Sequence, residues 1–140
     1  MATLRELLAM QEQGVEKKPR RKSLGEEHHM QCAEVRYMRA KHPELSHIFF
    51  AVPNGQKRTA RQTAWLKEEG MVPGVSDMIL LRPNSLHGYL CIENKTEKGK
   101  QSPEQQLFHQ AVEQNGGKYV IVRSLDEFIK NIEQYLNGEL

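Results

Sequence analysis

Asp77, Glu93 and Lys95 have types and spacing that could do chemistry together. Asp77 opens an apolar run, Met78-Ile79-Leu80-Leu81, directly after Pro73-Gly74-Val75-Ser76. Glu93 closes the next run, Gly88-Tyr89-Leu90-Cys91-Ile92, and Lys95 follows two residues later. A carboxylate left unpaired against an apolar strand is costly, and a bound divalent cation offsets that cost. Two hard carboxylate oxygens completed by water suit Mg²⁺ or Mn²⁺. Residues i and i+2 of an extended chain share a face, so Glu93 and Lys95 project together while Asn94 turns away. Phosphodiester hydrolysis asks for a Lewis acid, a nucleophilic water and a group that neutralises developing charge. Taken singly the features are ordinary: Asp77 could cap a turn, and Glu93 with Lys95 could be an incidental pair at a solvated strand end. It is their ordered combination that is rare.

Several elements must hold these residues in place. Asp77 and Glu93 are 16 residues apart, and the connection Arg82–His87 contains Pro83-Asn84-Ser85. So short a link predicts adjacent antiparallel strands, which sets the start of one beside the end of the other. Upstream, residues 26–41 have helical spacing, with Met30, Ala33, Tyr37 and Met38 on one face and Glu27, Gln31 and Glu34 alongside. Pro43 ends that helix. Ile48–Val52 reads as a strand, Pro53-Asn54-Gly55 as a turn, and 57–69 as a helix stopped by Gly70. Downstream, Ser102-Pro103 opens a helix that Asn115-Gly116-Gly117 closes. Lys118–Val122 is a further strand, and Ser124 with Glu127 forms a capping box for a last helix running to Leu136. The order predicts an α/β domain with a mixed sheet of about four strands flanked by helices. The simplest division is a basic arm, 1–24, and a domain, 25–140. In the arm Leu4, Leu7, Leu8 and Met10 suit a short amphipathic helix, and Lys17, Lys18, Arg20, Arg21 and Lys22 surround Pro19. Such a run suits either a phosphate-binding arm or a solvated tail.

A chain of 140 residues, 38% of them hydrophobic, is long enough for one domain with its own core. A net charge of +2 is compatible with a nucleic-acid partner without demanding one. The two cysteines, Cys32 and Cys91, form no paired pattern, and the N-terminus lacks a basic stretch followed by an apolar one. No apolar run approaches the ~20 residues that cross a bilayer. The expectation is a soluble cytoplasmic protein with reduced thiols and no membrane association.

Specific stretches carry a family resemblance. They are Glu27…Gln31, Val52-Pro53-Asn54, Glu69-Gly70, Pro73-Gly74-Val75-Ser76-Asp77, Ile92-Glu93-Asn94-Lys95, Ser102-Pro103-Glu104-Gln105 and Val120-Ile121-Val122-Arg123. Through them the chain resembles the virus-type replication-repair nuclease family, VRR-NUC, a branch of the PD-(D/E)xK nucleases, from about Glu26 to the C-terminus. The resemblance implies Mg²⁺- or Mn²⁺-dependent endonucleolytic cleavage of DNA, with a homodimer acting on branched or junction DNA. A virus-encoded, phage-like protein acting inside a host cell fits that expectation. The resemblance makes Asp77, Glu93, the backbone carbonyl of Asn94 and Glu27 the metal ligands. It makes Lys95 the catalytic lysine and Gln105 the glutamine that completes the site. The chain departs from the family pattern in Ser76, where proline is usual, in Asn94, where an apolar residue is usual, and in Val122-Arg123-Ser124, where a second arginine is usual.

Other signals have competing readings. Gln105 could instead close a capping box onto Ser102, and for one rotamer the two roles are expected to exclude each other. Glu26 and Glu27 could be exposed first-turn acids. His28, His29 and Cys32 lack a fourth ligand with matching spacing, so zinc is not expected. Lys57, Arg58 and Arg61 form a candidate nucleic-acid contact or a solvated helix face. Trp65 is expected in the core rather than as a base-stacking platform. Two alternatives to the nuclease stand: an inactive nucleic-acid-binding module on the same fold, and a restriction-type nuclease.

Overall fold

The computed structural model describes residues 3, 19–53 and 58–140, with the main chain alone for 19–24. The elements are α1 (Pro19–Lys41), a 3-10 turn at Pro43–Leu45, β1 (Phe49–Ala51), α2 (Ala60–Glu68), β2 (Met78–Leu80), β3 (Tyr89–Asn94), α3 (Pro103–Gln114), β4 (Gly117–Val122) and α4 (Leu125–Leu136). That is the expected order. The first helix begins earlier than its apolar pattern does, because Pro19 suits a first turn and the following Arg-Arg-Lys are good helix formers. Arg20, Arg21 and Lys22 are therefore helical; Lys17, Lys18 and the Leu4–Met10 pattern lie outside the described residues.

The strands form one mixed sheet in the order β1-β2-β3-β4. The β1/β2 and β2/β3 pairs are antiparallel, and β3 pairs with β4 in parallel. Parallel neighbours need a crossover, and α3 supplies it. Strand alternation sorts β3 between two layers. Leu90 and Ile92 face α1 and α4, in a core with Met38, Met78, Leu80, Val122, Phe128 and Ile132. Cys91 faces α3, in a smaller cluster with Val112 and Tyr119. Each such fully buried aliphatic side chain contributes about 1.5–3 kcal/mol. Polar contacts tie α1 to α4, since Glu133 Oε1 accepts from the Tyr37 hydroxyl at 2.5 Å and lies 2.8 Å from His42 Nε2.

Two local expectations fail. Trp65 is 70% exposed, not core, because α2 buries none of its residues. The Ser124 box is only half made: Ser124 Oγ accepts from the Glu127 N–H, but Glu127 Oε2 takes the N–H of Arg123 instead of Ser124. Among the described residues no helix is long and apolar enough to cross a membrane.

Candidate active site

The β2/β3 register pairs Met78 with Ile92, and one further step sets Asp77 across from Glu93. Asp77 lies one residue before β2. Its carbonyl accepts the Val52 N–H at 2.8 Å, and its Oδ2 accepts the Asn94 N–H at 2.7 Å. The side chain thus takes the place of a backbone ladder partner and is drawn over the end of β3. Facing carboxylates repel, and this pair is also desolvated. Burial, then the neighbouring Asp77, raises the Glu93 pKa. Burial raises that of Asp77 too, against the Asn94 N–H, a hydrogen bond with Glu93 and the charge of Lys95. Burial and mutual repulsion thus both favour a protonated form of the pair.

Three donors surround the 2%-exposed Glu93. Lys95 Nζ lies 3.8 Å from Oε1, as their shared strand face predicts. Gln105 Nε2 donates to Oε1 at 3.0 Å, and the Tyr119 hydroxyl donates to Oε2 at 3.2 Å. The expected exclusion at Gln105 does not hold. Its Oε1 accepts the Ser102 N–H at 2.9 Å in a complete capping box while its Nε2 reaches Glu93. An amide has separate donor and acceptor ends, so one rotamer does both and the cap aims the glutamine. Glu27, on α1, lines the same 280 Å³ cleft as Asp77, Glu93, Lys95 and Gln105. Its pKa is raised by burial and by Asp77, against the pull of Lys95 and of the Thr96 main chain.

Asn94 turns to the opposite face, as expected, and meets Glu34 from α1. Asn94 Nδ2 donates to Glu34 Oε2 at 2.9 Å; the two residues are 1% and 0% exposed. The remaining oxygens, Glu34 Oε1 and Asn94 Oδ1, are buried with no partner among the described residues. A proton on Glu34 would close the pair into a two-hydrogen-bond ring, and burial does push the Glu34 pKa to about 8. In a strand a residue's N–H and C=O face the same neighbour. The Asn94 carbonyl therefore faces the Asp77 side, where the resemblance puts a ligand.

Gly74 sets the first turn of α3 against the segment leading to Asp77. Its φ is +85°, and an added Cβ would lie 2.4 Å from the Glu104 carbonyl carbon. Gly74→Ala is expected to push α3 away and lower stability by roughly 1–3 kcal/mol. The check is a melting curve of the variant against the wild type. Arg123 fixes the far side of the site. Its Nη1 donates to the carbonyls of Thr96 at 2.7 Å, Glu97 at 3.3 Å and Gly99 at 2.8 Å, pinning the loop after Lys95. Ser124, where the resemblance leads one to expect a second arginine, caps α4.

Of the candidate nucleic-acid residues, neither Arg58 nor Arg61 lines the acid cleft. Lys57 is outside the described residues. Arg58 donates to the Pro53 carbonyl at 3.1 Å and to Met71 Sδ at 3.0 Å, which ties α2 to the end of β1. Arg61 is exposed on α2. His28 Nε2 and Cys32 Sγ approach to 3.6 Å, and both cysteines are free. Tyr119 and Glu34 were not anticipated. An acid four residues before Met38 and four after Met30, on the apolar stripe of α1, was a readable signal for Glu34; Tyr119 had none beyond its place in a strand.

The family model for the VRR-NUC domain matches residues 11–126. The chain belongs to the VRR-NUC family. A solved structure titled "VRR_NUC domain protein" superposes with a TM-score of 0.71 at 20% sequence identity, covering 80% of this chain and 88% of that one. At that identity the likeness speaks for the fold, a PD-(D/E)xK core with its mixed four-stranded sheet. No curated protein matches. Among the described residues, no group of three or more His, Cys, Asp or Glu is gathered so as to hold a metal. Asp77 and Glu93 face each other at the end of the strand pair, and Glu27 lines the same cleft.

Proposed function

We propose that the protein is a divalent-metal-dependent DNA endonuclease acting at the Asp77–Glu93–Lys95 cluster, with Mg²⁺ or Mn²⁺ as its cofactor. The observation that carries this reading is the facing pair of carboxylates, half-buried Asp77 and buried Glu93, both raised in pKa, beside Lys95. The donors fit a hard cation: two carboxylates, the Asn94 carbonyl and Glu27 at the rim supply only oxygen. When bound, that cation supplies Lewis acidity at a phosphoryl oxygen.

The chain's own groups do the rest. Asp77 and Glu93 would hold the cation through their carboxylate oxygens at the mouth of the cleft. Gln105 and Tyr119 keep the Glu93 carboxylate in one rotamer, and Lys95 is placed to neutralise charge that builds on the phosphate in the transition state. Glu34 and Asn94 anchor the end of β3 from beneath. Branched or junction DNA is the proposed substrate and a homodimer the proposed state, because two-fold symmetry would present two sites to two strands. Residues 1–24 are proposed as a basic arm, with Lys57, Arg58 and Arg61 as further phosphate contacts, in a soluble protein acting inside a cell, phage-like in origin.

The test is a cleavage panel on linear, flapped and four-way DNA with Mg²⁺ and Mn²⁺. Nicking is expected to disappear with Asp77→Ala and to fall at least ~10²-fold with Lys95→Met. Absence of metal-dependent cleavage on every substrate, alongside intact DNA binding, would favour the inactive binding module. Cutting at one sequence in unbranched duplex would favour the restriction-type enzyme.

A further inference from the structure

A groove of about 580 Å³ leaves the acid cluster and runs along α1. Glu27 and Asp77 stand at one end and Arg36 and Arg39 line it further on, with β1's exit, Ala51 to Pro53, as the facing wall. Both arginines are exposed, and neither has a carboxylate within ion-pair distance among the described residues. Other cations near the ends of α1 and β1 are engaged: Lys41 lies 3.6 Å from Glu133, and Arg58 is held by Pro53 and Met71. Two guanidiniums on one helix face, uncompensated and opening into a groove, suit an extended polyanion whose oxygens they can grip in pairs.

The geometry points to this groove as the track for one backbone of a DNA duplex arm, with Arg36 and Arg39 contacting phosphates away from the cut. At about 1.5 Å per residue, Arg36 and Arg39 lie roughly 14 and 18 Å along the helix from Glu27. At a rise of about 3.4 Å per nucleotide, that is four to five nucleotides from the acid cluster. The inference rests on the nuclease reading and extends it from the reacting bond to the path of the strand.

Binding of a fluorescein-labelled 20-base-pair duplex, followed by anisotropy in EDTA across a NaCl series, tests the inference without turnover. Arg36→Ala with Arg39→Ala is expected to weaken binding at least tenfold at moderate salt. The slope of log affinity against log salt should become shallower by about 1.8, which corresponds to two phosphate contacts. Arg36→Lys with Arg39→Lys should restore most of that slope, and Lys130→Ala, a charge removed from α4, should leave affinity alone. Affinity and slope unchanged by the double alanine variant, in a protein that still cuts DNA with Mg²⁺, would overturn the groove and spare the nuclease. Arginine-dependent binding by a protein that never cuts would remove the nuclease and support the groove. Wild-type protein that neither binds nor cuts would overturn both.

Discussion

Glu93→Gln is expected to remove cleavage, by at least ~10²-fold, while making the metal-free protein more stable. Both effects come from one carboxylate. In the cleft Glu93 is buried and faces Asp77, and desolvation and that neighbour raise its pKa. At pH 8 the metal-free fold therefore carries a charge it disfavours, or holds a proton that water would have removed. Glutamine has the same shape and no charge. Gln105 can still donate to its oxygen, and the Tyr119 oxygen can accept from its NH₂. The expected gain is on the order of 1 kcal/mol, or a few degrees in Tm for a domain of this size. Added Mg²⁺ should raise the wild-type Tm in proportion to occupancy and leave the variant nearly unmoved. A variant that is less stable without metal would mean that the carboxylate is a structural partner and not a strained ligand. Residual metal-dependent cutting would remove Glu93 from the site.

The metal-free protein should lose stability as pH rises from about 5 to about 9. Glu34 has an ordinary value of 4.5 and is pushed to about 8 by burial; Glu93 is raised for the same first reason. A carboxyl whose pKa is higher folded than unfolded binds its proton more tightly in the fold. Its contribution is complete below the unfolded value and is lost as pH climbs through the folded one. For Glu34 that rise corresponds to on the order of 5 kcal/mol at about 1.36 per pKa unit. Glu133 works the other way. The Tyr37 and His42 hydrogen bonds lower its pKa, so its contribution is present above 4.5 and fades in acid, which places the best stability between that acid fade and the fall that begins near pH 5. Thermal melts across this range in EDTA would show the fall. Glu34→Gln should flatten it, because a neutral amide keeps the Asn94 Nδ2 hydrogen bond and offers its own N–H to Asn94 Oδ1. Saturating Mg²⁺ should flatten only the share belonging to Glu93 and Asp77. A melting temperature indifferent to pH from 5 to 9 would mean that neither buried acid carries the cost its surroundings imply.

The sequence by itself determined the order of the elements and the antiparallel pairing of β2 with β3. It also brought Asp77, Glu93 and Lys95 to one strand end. Those outcomes depend on local rules: turn chemistry at Pro73–Ser76, a link from Arg82 to His87 too short for a crossover, and the two-residue period of a strand. Tertiary structure decided which distant groups meet that cluster. Tyr119 reaches Glu93 only because β4 lies parallel to β3, with Cys91 across from Tyr119. Glu34 meets Asn94 only because α1 crosses beneath the end of β3. Trp65 is exposed because none of the described residues buries its face of α2, a fact about neighbours that its own helical spacing does not contain. Gln105 belongs to both levels, since its cap onto Ser102 is a local motif but its second hydrogen bond depends on where α3 lands, with Gly74 pressed against its first turn. Periodicity records which side of an element is apolar; only closure of the chain records what waits on that side.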